Sequence, residues 1–187
     1  SFAEPAKRIA YAPSFGVSSL PPQSEAWLKQ QIEAIPYLSI REQAGASIVA
    51  GLTGRTAPVV LDPAYLLDAD AWSDFAEEAA VPDQPYLLCY FLESDRYMRE
   101  QALALAEKQG LIPLLIPVHP CDQEGLGLKF TPLSGIGPRE FVGLIRRAAF
   151  VCTDSFHGTS FSILLNRPFL TFKRYDNAAQ AANHSRL

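Results

Sequence analysis

The chain of 187 residues is long enough to bury a hydrophobic core, either in one domain or in two small ones. Apolar residues make up 48% of the sequence and charged residues 19%, which is typical of a globular protein. No apolar run reaches the roughly 18 to 20 residues that a transmembrane helix needs, and the N-terminus lacks the apolar stretch of a signal peptide. We therefore expect a cytoplasmic protein, free or at the inner face of the membrane, with no transmembrane segment.

Charge is unevenly distributed along the sequence. Residues 1–128 contain 8 Lys and Arg residues and 17 Asp and Glu residues, whereas residues 129–187 contain 8 and 3. The C-terminal part therefore has a net charge of +5, which favours an anionic ligand there, although a solvated basic surface explains the count equally well. The whole chain is acidic, with a net charge of −4 and a pI near 5.4, so no nucleic-acid partner is expected.

The first part of the sequence alternates strands with helices. Ser24 can cap the first helix, Gly54 can end the second, and Arg41 falls at the end of the second strand. Such alternation predicts a parallel sheet with helical crossovers. The predicted strands cover residues 8–12, 37–41 and 59–61, and the predicted helices cover residues 24–35 and 42–52.

A second strand and helix series follows an acidic stretch, residues 68–85, which predicts a helix and a hinge between domains 1–80 and 81–187. The predicted strands cover residues 86–92, 111–117, 150–152 and 168–172, and the helices cover residues 95–109, 137–147 and 157–165. We therefore predict an α/β fold of two Rossmann-like parallel-sheet units. The first has too few elements to close a doubly wound sheet, so we expect an upstream portion.

The three cysteines have no spacing typical of a metal site. Two of them lie in apolar, strand-like runs, so we expect buried, reduced thiols at Cys89, Cys121 and Cys152, and no bound metal.

The strongest local signal for chemistry lies in residues 151–163, where a strand ends near Thr153 and a helix begins within a few residues. Helix N-termini at the carboxyl edge of a parallel sheet favour anionic ligands. Asp154 or Ser155 can cap the helix, and Gly158 allows close approach of another backbone or a ligand. His157 would lie in the first turn, where it could exchange a proton or could equally be a structural histidine.

Four blocks in order make the chain resemble the polysaccharide pyruvyl transferase family over about residues 8–172. The blocks are residues 39–42 (Ser-Ile-Arg-Glu), residues 60–63 (Val-Leu-Asp-Pro) with Leu66, Leu67 and Trp72, residues 153–158 (Thr-Asp-Ser-Phe-His-Gly), and residues 166–169 (Asn-Arg-Pro-Phe). Residues 8–16 fit the strand that precedes the first block.

This resemblance implies a GT-B-like pair of Rossmann domains in a bacterial enzyme of capsule or exopolysaccharide assembly. The expected donor is phosphoenolpyruvate, the acceptor is an oligosaccharide or a lipid-linked glycan, and the product is a ketal, with no further cofactor. It assigns His157 to catalysis and the strand-end Arg41 to the donor anion, although Arg41 could instead form an ion pair with an acid. The complete set of candidate substrate-binding residues is Arg41, Ser155, Asp154, Gly158, Lys173 and Arg174.

One departure from the family concerns Ser155, because characterised members commonly have an arginine two residues before the histidine. Lys173 and Arg174 could supply the missing charge or could form a solvated tail. For Asp154 we favour a helix cap over a residue that orients His157. Two alternatives therefore stay open: a GT-B-like glycosyltransferase with a nucleotide-sugar donor, and a non-catalytic glycan-binding or assembly module.

Overall fold

The computed structural model describes residues 4–119, 122 and 128–173. Within them the chain forms two compact units, one made of residues 4–66 and the other of Leu67–Lys173. Among these residues, no helix combines the length and the hydropathy that crossing a bilayer requires.

The first unit is a small parallel α/β layer. Strand β1 (Ile9–Ala10) pairs in parallel with β2 (Tyr37–Leu38), and a single parallel bridge joins Ile40 to Val59. Two α-helices and two 3-10 helices flank these strands: α1 (Pro22–Glu33), α2 (Gln43–Thr53), Pro5–Lys7 and Pro63–Leu66. Its core is a cluster of apolar side chains from both helices and the strand segments: Ile32, Ile40, Val49 and Ala57.

The predicted elements of this unit form, with two differences. Gly54 ends α2 in the left-handed conformation with φ 70°, as predicted. The prediction that Ser24 caps α1 is wrong, because the helix begins two residues earlier, at Pro22, where the missing proline N–H costs nothing. The third predicted strand is reduced to the bridge at Val59, since Pro58 and Pro63 leave little chain that can join a sheet ladder.

The second unit is built on a five-stranded parallel sheet. Its spatial order is β5-β4-β3-β6-β7, with β3 at the centre. The strands are β3 (Tyr86–Tyr90), β4 (Ile112–Ile116), β5 (Thr131–Pro132), β6 (Phe150–Thr153) and β7 (Phe169–Thr171). The predicted α/β fold with parallel sheets is therefore confirmed.

Within the residues that the structure describes, this sheet is accompanied by the helices α3 (Ala69–Phe75), α4 (Arg96–Gln109), α5 (Pro138–Arg147) and α6 (Phe156–Leu164). Helix α4 illustrates how the sequence determines the ends and the packing face of a helix. Asp95 caps its first turn by accepting from the N–H of Met98, and Gly110 ends it with φ 64°. Met98, Ala102 and Ala106 recur every fourth residue, so they share the face that packs on the buried side chains of β3 and β4.

Two findings depart from the sequence-based expectations. The short strand β5 is missing from the predicted strands, because it has only two residues, both exposed and one of them a proline. Helix α3 was predicted to belong to the first domain, but it packs within the second unit. The ring of Trp72 stands edge-on to Phe161 at 4.8 Å, and Arg146 donates to the carbonyl of Ser73.

The cysteines of the sheet are buried thiols. Cys89 and Cys152 are free and fully buried, which confirms the prediction for these two, while Cys121 lies outside the described residues. Burial raises the pKa of the Cys152 thiol to about 12 and raises that of Cys89 well above its ordinary value.

The strand order places a topological switch between β3 and β6. From β3 the chain moves outward through β4 to β5, and it then returns to the other side of β3 as β6 and β7. In open parallel sheets, ligands bind beyond the carboxyl ends of the strands at such a point. The turn that joins the end of β6 to the start of α6 lies at this point.

Candidate active site

The turn from β6 into α6 is held by its own small polar side chains. Thr153 donates from Oγ1 to the carbonyl of Tyr90 in β3, at 2.6 Å, and the same oxygen accepts from the N–H of Ser155 at 3.0 Å. Ser155 is the N-cap of α6, since its Oγ accepts from the N–H of Gly158 at 3.3 Å. Contacts within the protein therefore fix the turn to the central strand.

Gly158 is required by the close approach of Thr153. A Cβ atom at position 158 would overlap Oγ1 of Thr153 and would lie 3.0 Å from its Cβ and Cγ2 atoms. The close approach at this glycine is therefore made by the side chain of the threonine that anchors the turn to β3, whereas approach of a ligand stays a prediction. Any larger residue has to displace that anchor.

Asp154 joins β6 to the end of β3, and its predicted role as the helix cap is wrong, because Ser155 occupies that position. Its carboxylate is 6% exposed and accepts from the N–H of Leu92 at 2.7 Å and from the N–H of Glu93 at 3.0 Å. Burial and the charge of Asp154 both raise the pKa of Tyr90. The carboxylate is thus engaged by backbone donors beside the turn.

His157 lies exposed in the first turn of α6, with its ring edge-on to Phe156 at 5.2 Å. The start of this helix is also tied to the neighbouring strand, because the hydroxyls of Thr159 and Thr171 lie 2.8 Å apart. Lys173 is exposed two residues beyond Thr171, and Arg174 lies outside the described residues. An accessible imidazole therefore sits at the carboxyl edge of the sheet, on a turn with fixed geometry.

In the first unit, Arg41 follows the strand end, as expected. Its Nη1 forms an ion pair with Asp62, and its Nε lies 3.9 Å from Oε2 of Glu42. The Arg41 side chain is 17% exposed, while Asp62 is buried and also accepts from the N–H of Ala64 at 3.0 Å. Asp62 therefore holds the guanidinium in place and caps the 3-10 helix that follows.

The residues around Arg41 wrap the loop that follows β1. The Oγ of Ser39 accepts from the N–H of Ala12 at 3.0 Å, and Oε1 of Glu42 accepts from the N–H of Phe15 at 2.8 Å. Glu42 is only 3% exposed. A Cβ at Gly45 would lie 2.7 Å from Ile40 and 2.9 Å from Oε1 of Glu42, so glycine keeps room for this contact.

The family model for polysaccharide pyruvyl transferase matches residues 1–177, which is nearly the whole chain. The chain belongs to the polysaccharide pyruvyl transferase family. It is therefore a member of a family of transferases that modify polysaccharides. No curated protein matches the chain in sequence.

The chain is similar to several solved structures. A protein described as a UDP-N-acetylglucosamine 2-epimerase from Listeria monocytogenes is 13% identical over 82% of this chain and 46% of its own, with a TM-score of 0.52. The UDP-GlcNAc 2-epimerase of Methanocaldococcus jannaschii is 17% identical over 74% and 46% of the two chains, with a TM-score of 0.46. The E. coli heptosyltransferase WaaC is 17% identical over 78% and 50%, with a TM-score of 0.41. The chain spans about half the length of these structures.

In this pyruvyl transferase family member, each unit brings one group suited to an anionic donor to the carboxyl side of its strands. Arg41 belongs to the first unit and His157 to the second, so their sharing one cleft stays a prediction. Glu42 and Thr153 were missed as organisers of these turns. The sequence signal that could have identified them is an acidic or hydroxyl side chain at the end of an apolar strand.

The second unit also contains an open groove of about 720 Å³ at the carboxyl ends of β4 and β5, next to the start of α5. It is lined by Ile116, Pro117, Pro132, Leu133, Ser134, Gly135, Ile136 and Gly137. Across the described part of the chain, no three His, Cys, Asp or Glu side chains are grouped to hold a metal ion.

Proposed function

We propose that the protein transfers the pyruvyl group of phosphoenolpyruvate to two hydroxyls of a sugar in a cell-surface polysaccharide, releasing phosphate and forming a ketal. The observation that carries the proposal is the turn between β6 and α6, which presents an exposed His157 in the first turn of a helix at the switch point of the sheet. Membership of the polysaccharide pyruvyl transferase family supports the same reaction.

The reaction needs one proton donor, one proton acceptor and a site for anions. The methylene carbon of phosphoenolpyruvate gains a proton, and the central carbon forms one bond to each of two acceptor oxygens. The bond between that carbon and the phosphate oxygen breaks, and phosphate leaves. Two protons come from the acceptor hydroxyls: one ends on the methyl group and the other on phosphate. A side chain near neutral pKa is suited to both transfers.

In this proposal His157 moves these protons and Arg41 holds the donor. The donor carries a phosphate and a carboxylate, and the forked guanidinium can bind either of them through two parallel hydrogen bonds. The N-terminus of α6 adds partial positive charge, and Lys173 and Arg174 supply the cations that Ser155 does not. Asp154, Ser155 and Gly158 contribute by shaping the turn on which the donor rests.

Phosphate release from phosphoenolpyruvate by the full-length protein, with oligosaccharide acceptors, tests the proposal. Replacing His157 with Ala should lower kcat by about 100-fold or more, which is the usual contribution of a general acid or base. Replacing Arg41 with Lys keeps a cation beside the buried Asp62 but removes the fork, so KM for phosphoenolpyruvate should rise about 10-fold. Arg96→Ala, which removes an exposed arginine that forms an ion pair with Glu100, is the matched control and should change neither constant.

A glycosyltransferase that uses a nucleotide-sugar donor is the second candidate. The 720 Å³ groove beside α5 favours it, because its size falls in the range of small-molecule sites. The engagement of Ser155 as a cap, where an arginine would offer charge to phosphoenolpyruvate, points the same way. Sugar transfer from nucleotide donors, without phosphate release from phosphoenolpyruvate, would favour this reading. Glycan binding that His157→Ala leaves intact, with neither transfer activity, would identify a non-catalytic binding module.

A further inference from the structure

The inference concerns the peptide group that joins Leu92 to Glu93, just beyond the end of β3. Its N–H, on Glu93, donates to Oδ2 of Asp154 at 3.0 Å. Its carbonyl oxygen, on Leu92, lies 2.8 Å from Nε2 of His119, which follows β4. A carbonyl oxygen can only accept a hydrogen bond, so Nε2 carries the proton in this contact. Two side chains from two different strand ends therefore bind opposite edges of one peptide group.

The position of His119 is itself fixed by buried charges. The backbone N–H groups of Val118 and His119 both donate to Oδ2 of Asp122, at 3.0 and 2.9 Å. Asp122 pairs with Arg99, and each of the two residues is 1% exposed. Arg99 also donates to the carbonyl of Glu93 at 2.8 Å. The loop after β4 and the turn after β3 are thus joined by a buried polar network, of which His119 is the part that reaches the peptide group.

We infer that His119 is a positioning residue for His157, acting through the peptide group between Leu92 and Glu93 and through Asp154. A peptide group is planar and rigid, so its carbonyl and its N–H rotate together. Without a donor at the carbonyl, the peptide plane loses one of its restraints, and the alignment of its N–H with Asp154 becomes worse. Donation by His119 also polarises the peptide group and strengthens the bond that its N–H makes to the carboxylate.

Asp154 passes this constraint to the site, because it directly precedes Ser155, the cap of α6. A shift of Asp154 displaces the cap and, with it, the first helical turn that carries His157. The inference rests on the proposed function only in that His157 is the catalytic residue. The mechanical link between His119 and the first turn of α6 can be measured without any substrate.

Amide hydrogen exchange in the full-length protein, followed by NMR, tests this link. His119→Leu introduces an apolar side chain of similar bulk and removes the donor, whereas His119→Gln keeps an N–H group near the position of Nε2. In His119→Leu the amides of Glu93 and Gly158 should exchange on the order of 10-fold faster, as expected when one hydrogen bond is lost. In His119→Gln they should exchange as in the wild type. The amide of Leu111, which donates to Ala106 at the end of α4, is the internal control and should not change in either variant.

The kinetic arm uses phosphate release from phosphoenolpyruvate by the same proteins. His119→Leu should lower kcat about 10-fold or more while KM for phosphoenolpyruvate stays within about 2-fold, and His119→Gln should restore kcat, because misplacement of a catalytic group affects the chemical step. Unchanged exchange at Glu93 and Gly158 in His119→Leu would overturn the inference, and so would equal impairment of both variants. If the wild type releases no phosphate, the proposed function fails, while the exchange data still decide whether His119 controls the turn.

Discussion

Replacing Asp154 with Asn should destabilise the second unit more than the same replacement at Asp95. The carboxylate accepts two backbone N–H groups, at 2.7 and 3.0 Å, and is almost fully buried. Hydrogen bonds to a charged group contribute about 1.5 to 3 kcal/mol each, so the pair contributes about 3 to 6 kcal/mol. The Asn oxygen can accept one neutral hydrogen bond of about 1 kcal/mol, but its NH₂ group faces the second backbone N–H and cannot accept a hydrogen bond from it. We therefore expect a loss of about 2 to 5 kcal/mol.

Urea unfolding followed by tryptophan fluorescence measures this loss in the right unit. The chain has two tryptophans, and in a Trp27→Phe background only Trp72 remains, which contacts Phe161 of α6. Asp95→Asn is the matched control: Asp95 caps α4 through one bond of 3.2 Å, and Asn caps helices as well as Asp, so its change should stay within about 0.5 kcal/mol. Equal stability of the Asp154 and Asp95 variants would refute the assignment of Asp154 as the link between β3 and β6.

Three further predictions concern the second unit. Gly143→Ala should lower the free energy of unfolding in urea by about 1 to 3 kcal/mol, because the new Cβ would overlap the carbonyl oxygen of Glu77. Gly51→Ala, where the Cβ would meet open space on α2, should be neutral or stabilising, and equal effects of the two changes would contradict the packing. Burial raises the pKa of Asp122, but hydrogen bonds from two backbone N–H groups and an arginine lower it by more, so the net pKa lies below its ordinary value. The stabilisation that Asp122 contributes should therefore be complete above about pH 4 and be lost as the pH falls through the folded pKa. Unfolding at a series of pH values should show this loss, and Asp122→Asn should abolish that part of the dependence. Cys152 should react with a thiol reagent at neutral pH only at the rate of unfolding, since burial raises its pKa to about 12; fast reaction in the folded protein would contradict its burial.

Much of the second unit could be predicted from the sequence, because its signals are local. The apolar run at β3 and the pair formed by Asp95 and Gly110 at the ends of α4 each fix an element through nearby residues. The same holds for Gly137 and Pro138 at the start of α5. Such caps and periodicities depend on residues within one or two turns, so one sequence is enough to read them.

The site was harder to predict, because its contacts join residues far apart in the chain. Asp154 and Ser155 are adjacent and both can cap a helix, and only the position of Leu92, 62 residues earlier, decides which one does. The role of Glu42 at Phe15 is equally non-local, since 27 residues separate them. Sequence pattern alone therefore located the turn at His157 but could not assign the partner of each polar side chain.

The most direct test of the proposed reaction is the mass of the acceptor after incubation of the full-length protein with ¹³C-labelled phosphoenolpyruvate. Transfer as proposed should add one labelled pyruvate less one water to the oligosaccharide, with one phosphate released for each ketal formed, and His157→Ala should abolish the product. An acceptor that gains an unlabelled sugar from a nucleotide donor, or no mass at all with every acceptor and donor offered, would contradict the account.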